Sequence, residues 1–219
     1  MTDRFDICIP YVLAEECPFP NDWSNHRNYS DDPGDSGGPT MCGITHREYD
    51  LWRRGHSLPV QDVIHITKVE GYEIYRVSYW LPHCPLLKPG LDLFFFDTAV
   101  NMGSTRAVKL LQASLGITVD GLWGPVTEGK ATAITDAVPI IRDQETRRQR
   151  TYESFGGFAR FGRGWLARDH KIGEVALQMA HPEIAPPPPV AVAAPPETDI
   201  LHRLDVLEVA VRRLGGNLE

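Results

Sequence analysis

The sequence predicts a mainly α-helical chain with one small β element, followed by a proline-rich tether and a short amphipathic helix. Three observations predict it. Apolar residues recur at spacings of three and four in several segments between residues 5 and 179. The stretch around Asp35–Thr45 is instead short, rich in glycine and flanked by turn residues. Beyond His181 the composition changes abruptly to Pro, Ala and Val.

The elements follow in order. Phe5, Ile9, Val12, Leu13 and Glu16 fall on one helical face, and Pro10 either kinks that helix or opens it. Residues 18–39 carry the Asn, Asp, Ser, Gly and Pro of turns. Thr67 and Glu70 form a capping box for a helix through Tyr79, with Tyr72, Tyr75 and Tyr79 on one face. Leu91–Asn101 is apolar throughout and predicts a buried helix. Ser104 is placed to cap the next helix, whose stripe is Ala107, Val108, Leu111 and Leu115, and Gly116 ends it as a left-handed cap. Asp120-Gly121 marks a tight turn, and Gly124-Pro125 starts another helix. Glu145–Tyr152 reads as a charged helical face, and Trp165–Met179 as the last helix of the globular part. Residues 181–197 form an extended linker. In 198–216, Ile200, Leu204, Leu207, Val211 and Leu214 repeat at four-three spacing, a short coiled-coil seam. Its stripe needs cover, so self-association or capture of a partner helix is favoured over docking back.

Composition narrows the function. With 219 residues, 42% hydrophobic and 23% charged, the chain can build its own core. A net charge of −7 argues against nucleic acid as the main partner. Met1–Glu15 has no basic start or small-residue cleavage site, and no run of eighteen apolar residues predicts a membrane span. Synthesis in the cytoplasm is expected, with release by a separate route. Cys8, Cys17, Cys42 and Cys84 contain no CxxC pair. A zinc site from Cys17, Cys42 and His83-Cys84 is conceivable, but free, partly buried thiols fit a reducing cytoplasm better. The eight histidines lack metal-ligand spacing, and no metal or organic cofactor is implied.

One constellation carries chemistry. Glycosidic hydrolysis needs a carboxylic acid to protonate the leaving oxygen, and a means of stabilising positive charge on the sugar. Glu16 ends an apolar helix just before a polar loop, a placement that suits such an acid. Across the loop, Asp35-Ser36-Gly37-Gly38-Pro39-Thr40 and Gly43-Ile44-Thr45 offer close backbone approach, a carboxylate and a hydroxyl. The same features are also those of an ordinary turn.

Val12-Leu13-Ala14-Glu15-Glu16 followed by Asp35-Ser36-Gly37-Gly38-Pro39-Thr40-Met41-Cys42-Gly43-Ile44-Thr45 resembles the signature of glycoside hydrolase family 108. Tyr79-Trp80, Phe96-Asp97-Thr98-Ala99-Val100-Asn101-Met102-Gly103 and Ala107-Val108-Lys109-Leu110-Leu111-Gln112 continue the likeness in order. Gly116, Asp120-Gly121, Gly124-Pro125 and Thr127 resemble the peptidoglycan-binding domain predicted in that family, and Phe161–Leu166 resembles its closing segment. The likeness spans roughly residues 5–178. Two departures stand out: Cys17-Pro18 replace the glycines after the family's glutamate, and the following loop, with Trp23, His26 and Tyr29, is longer.

The resemblance implies a lysozyme-like fold, a catalytic part over 1–90 and a helical peptidoglycan-binding part over 91–180. It implies an N-acetylmuramidase of phage-endolysin type acting on bacterial peptidoglycan, with Glu16 as acid and Asp35 or Thr40 orienting the attacking water. Glu15 points about 100° away from Glu16 on a straight helix, so one of the two faces the cleft. Tyr79, Trp80, Asp97 and Asn101 are expected along the substrate groove, with core packing and buried hydrogen bonding as their other reading. A lytic transglycosylase, a non-catalytic wall-binding or virion protein, and a stem-peptide amidase or peptidase are the alternatives.

Overall fold

In the computed structural model, residues 3–31 and 38–181 are described. Asp35, the linker from residue 182 and the stripe Ile200, Leu204, Leu207, Val211 and Leu214 lie outside the described residues.

Eight α-helices and a three-stranded sheet make up the described part: α1 Arg4–Glu16, α2 His46–Gly55, α3 Lys68–Tyr75, α4 Leu91–Met102, α5 Ser104–Ser114, α6 Pro125–Thr132, α7 Val138–Glu153 and α8 Phe158–Ala180. They belong to one compact unit, Met1–Pro186. The sheet is antiparallel in the order β1 Tyr29–Ser30, β2 Thr40–Met41, β3 Ile44–Thr45, with Tyr29 opposite Met41 and Thr40 opposite Thr45.

α4 organises the core. Every residue from Leu91 to Ala99 is buried, Asp92 and Asp97 included, as expected of a helix surrounded on all sides. It packs against α1, α5, α7 and α8. Gly90 opens it at φ +85°, and a Cβ there would meet the Ala176 carbonyl oxygen of α8 at 2.1 Å, so only glycine fits. Asp92 accepts from Arg4 of α1 at 2.7 and 2.8 Å, joining both helix starts by a bidentate pair.

The local signals held. Thr67 and Glu70 form the capping box, and Gly116 and Gly121 take positive φ where turns were expected. Pro10 lies within α1 and does not open it. Other expectations need correction. The helix begun at Thr67 changes at Arg76 into a π-helical turn, Arg76–Trp80. Ser104 is the first residue of α5, and Gly103 occupies the cap without a side-chain bond. α7 is not a wholly solvated charged face: Gln144, Arg148 and Tyr152 are buried against its neighbours.

Two cysteines also differ from expectation. Cys17 and Cys42 form a disulfide, with 4.5 Å between their Cα atoms, while Cys8 and Cys84 are free and buried. The bond fastens the C-cap of α1 to the β2–β3 turn. Among the described residues, no group of three or more His, Cys, Asp or Glu could hold a metal ion.

Candidate active site

Glu16 is the last residue of α1, and the Cys17–Cys42 bond brings the β2–β3 turn against it. That turn is Cys42-Gly43 at φ +48° and +75°, the two-residue hairpin geometry that glycine accommodates without strain. Gly43 is needed for a second reason. A Cβ there would lie 2.6 Å from Glu16 Oε2 and 3.0 Å from the Tyr75 hydroxyl. The Tyr75 hydroxyl donates to the Cys42 carbonyl at 2.7 Å and props the turn from the core side.

The other carboxylate oxygen is held from the far end of the chain. Arg168 of α8 donates from Nη1 to Glu16 Oε1 at 2.6 Å. Its Nε and Nη2 donate to Asp97 Oδ1 at 3.0 and 2.7 Å. Asp97 Oδ2 accepts from Arg148 Nη2 at 2.6 Å. Burial opposes the charge on Asp97, but Arg148 and Arg168 outweigh it and hold the carboxyl below its usual range. Burial likewise opposes the charge on Arg168, and Asp97 and Glu16 keep it firmly protonated. Arg168 shares Asp97 with Arg148, so Glu16 completes its charge balance, and the fork of the guanidinium fixes where the Glu16 carboxylate sits.

Glu15 goes elsewhere. Its Oε1 accepts from Lys171 Nζ at 2.5 Å, one turn along α8 from Arg168. Neighbouring carboxylates thus diverge to different partners, with Glu16 facing the hairpin.

The remaining predicted site residues separate. Thr40 is half-buried on β2, two residues before Cys42. Tyr79 is half-buried and donates to Glu48 Oε2 at 3.2 Å. Trp80 is 1% exposed and packs edge-on against Phe5 and Phe96, with ring centroids 5.8 and 5.3 Å away. Asp97 has no exposed surface. Neither presents a face to a glycan, which corrects their placement along the groove; their polarity and aromaticity serve the core. Asn101 accepts from the Tyr152 hydroxyl at 2.7 Å, and Tyr152 in turn accepts from Arg148. In the long loop, Trp23 is buried beside Tyr72 and donates to the Pro20 carbonyl, so it packs rather than stands free.

Sequence reasoning missed Arg168, Tyr75 and Glu48. Arg168 stands in a helix with other arginines and lacks any local mark. In the sequence, Tyr75 stands out only as part of a helix face. Glu48 lies three residues beyond the Gly43-Ile44-Thr45 motif and could have been noticed there.

Residues 13–103 match the family Glycosyl hydrolase 108. The structure is similar to that of Brucella abortus SagA at 30% identity and a TM-score of 0.68, covering 81% of this chain and 96% of that one. The chain belongs to glycoside hydrolase family 108. No curated protein matches it. The mainly α, lysozyme-like architecture with a small antiparallel sheet agrees with membership, and a glycoside hydrolase of family 108 is what the chain is. Glu16, Thr40, Gly43 and Glu48 all fall inside the family match, whereas Arg168 lies outside it. The part of the chain beyond residue 103 therefore supplies the clamp on the glutamate. No helix among the described residues is long and apolar enough to cross a membrane.

Proposed function

We propose that this family 108 hydrolase is an N-acetylmuramidase, with Glu16 as the general acid that protonates the oxygen between N-acetylmuramic acid and N-acetylglucosamine. The observation that carries this reading is the division of the Glu16 carboxylate. Oε1 is fixed by Arg168, and Oε2 lies against the exposed Gly43, which puts no side chain over it. An acid held in one orientation removes much of the entropic cost of reaching the transition state.

Thr40 or Asp35 orients the water that attacks the sugar carbon. Peptidoglycan is the substrate this reading assigns, and a wall-binding role for residues 91–180 goes with it. The enzyme acts at the cell wall after release from the cytoplasm by a separate route. A turbidity assay on Gram-negative cells stripped of their outer membrane tests it: the wild type clears the suspension and Glu16→Gln does not. Mass spectrometry of the fragments separates hydrolysis, which leaves reducing ends, from transglycosylation, which leaves anhydro ends.

A further inference from the structure

Glu48 is a second carboxyl in the neighbourhood of Glu16 that the reading above leaves without a task. It occupies the first turn of α2, immediately after β3, where Thr45 Oγ1 accepts from its backbone N–H at 3.1 Å and fixes the start of the helix. Its side chain is half-buried, and Oε2 accepts from the Tyr79 hydroxyl at 3.2 Å. The Ser78 hydroxyl, on the same turn, favours the ionised form of that carboxylate. Both hydroxyls come from the π-helical turn Arg76–Trp80, an irregularity that recurs at functional sites because it re-aims side chains.

Glu16 and Glu48 flank one pair of tyrosines. Tyr75 and Tyr79 have ring centroids 5.9 Å apart, and the charges of both glutamates bear on both hydroxyls. Arg168 bears on Tyr75 from the Glu16 side. The titratable group bonded to the Glu48 carboxylate is Tyr79, with Tyr75 beyond it, and among the described residues no cation is bonded to that carboxylate. That differs from Asp97, Asp92 and Glu70, buried or half-buried acids that each accept from an arginine. A half-buried carboxylate that no cation among the described residues neutralises carries a desolvation cost that taking up a proton relieves.

We propose that Glu48 is the general base of this site. The proposal rests on the glycosidase reading of Glu16. Glu16 gives its proton to the glycosidic oxygen as the bond to the sugar carbon breaks. The oxygen of a water molecule bonds to that carbon and its proton passes to the Glu48 carboxylate, so the site ends with Glu16 ionised and Glu48 protonated, and one proton exchange with solvent resets it. The Tyr79 hydroxyl holds the carboxylate in place. Burial raises the Glu48 carboxyl above its usual range, while the Tyr79 and Ser78 hydroxyls pull it down and favour the ionised form that accepts a proton. One displacement by water inverts the sugar carbon.

The test uses the full chain and soluble glycan fragments. Wild type cleaves and Glu16→Gln does not, which secures the underlying reading. Glu48→Ala then lowers kcat by ~10²-fold or more with KM near the wild-type value. Added formate, a small carboxylate that fits the vacated space, restores much of that loss, and it restores nothing to Glu16→Gln. Loss of the acid-side limb of the kcat/KM pH profile in Glu48→Gln agrees with this. A kcat within threefold of wild type, or a loss that formate does not restore, assigns Glu48 to structure and overturns the proposal. Anhydro ends on the products would also overturn it, because no water attacks, while leaving Glu16 as the acid. A wild type that cleaves no glycan removes the underlying reading, and the base with it.

Discussion

Arg168 Nη1 lies 2.6 Å from Glu16 Oε1, across 152 residues of sequence, and the same guanidinium is anchored on Asp97. The last helix of the globular part therefore fixes the glutamate that ends the first. Removing Arg168 leaves Asp97 buried with one partner fewer. Arg168→Ala is expected to cost about 3–5 kcal/mol, the usual penalty for breaking a buried pair from one side. Arg168→Lys keeps the charge but cannot fork to two carboxylates, so it should retain more stability than Arg168→Ala and still lose most of the turnover. Urea unfolding and kcat measured on both variants check this.

Gly43 tests whether the turn sets the position of the acid. Gly43→Ala forces a Cβ into a position 2.6 Å from Glu16 Oε2 at a φ of +75°. The backbone term alone costs about 1–2 kcal/mol. Displacing the carboxylate by an ångström should lower kcat by roughly 10²-fold. A variant that loses stability but keeps its turnover would show that Glu16 tolerates movement.

A pH dependence of stability follows from Asp169 in α8. Burial pushes its carboxyl up to about 7, although Arg148 Nε stands 3.4 Å away. The fold therefore favours the protonated form. Its contribution is fully present below pH ~4, the unfolded carboxyl's range, and is lost as pH rises to about 7. Asp169→Asn keeps the neutral shape at every pH. Its stability relative to wild type should rise from pH 4 to pH 8, by up to about 4 kcal/mol. A stability difference that stays flat over that range would contradict the assignment.

The disulfide closes a loop of sequence separation 25, worth about 3.5 kcal/mol on chain-entropy grounds. The unfolded, unreduced chain should expose two reactive thiols, Cys8 and Cys84, and four after reduction. Four without reductant would leave α1 and the hairpin unlinked.

What was legible in the sequence was local. The capping box of Thr67 and Glu70, the left-handed glycines at 116 and 121 and the uniformly apolar run of α4 all state their structure within a few residues. The position of Glu16 at a helix end was legible in the same way. Its clamp was not, because nothing near Arg168 distinguishes it from the solvated arginines around it. Arg148 shows the same limit: within a charged run it reads as surface, yet it is buried between Asp97 and Tyr152. Asp97 and Trp80 showed their chemistry but not their direction, and packing against α7, α8 and α1 turned both inward. The disulfide was hidden because Cys17 and Cys42 are joined by the fold and not by a motif.

The most direct test of the account is mass spectrometry of peptidoglycan digested by wild type, Glu15→Gln and Glu16→Gln, each checked for an unchanged melting temperature. The account predicts muropeptides with reducing N-acetylmuramic acid ends from wild type and Glu15→Gln, and none from Glu16→Gln. Glycan cleavage that persists in Glu16→Gln, or vanishes instead in Glu15→Gln, would contradict the assignment of Glu16 as the acid.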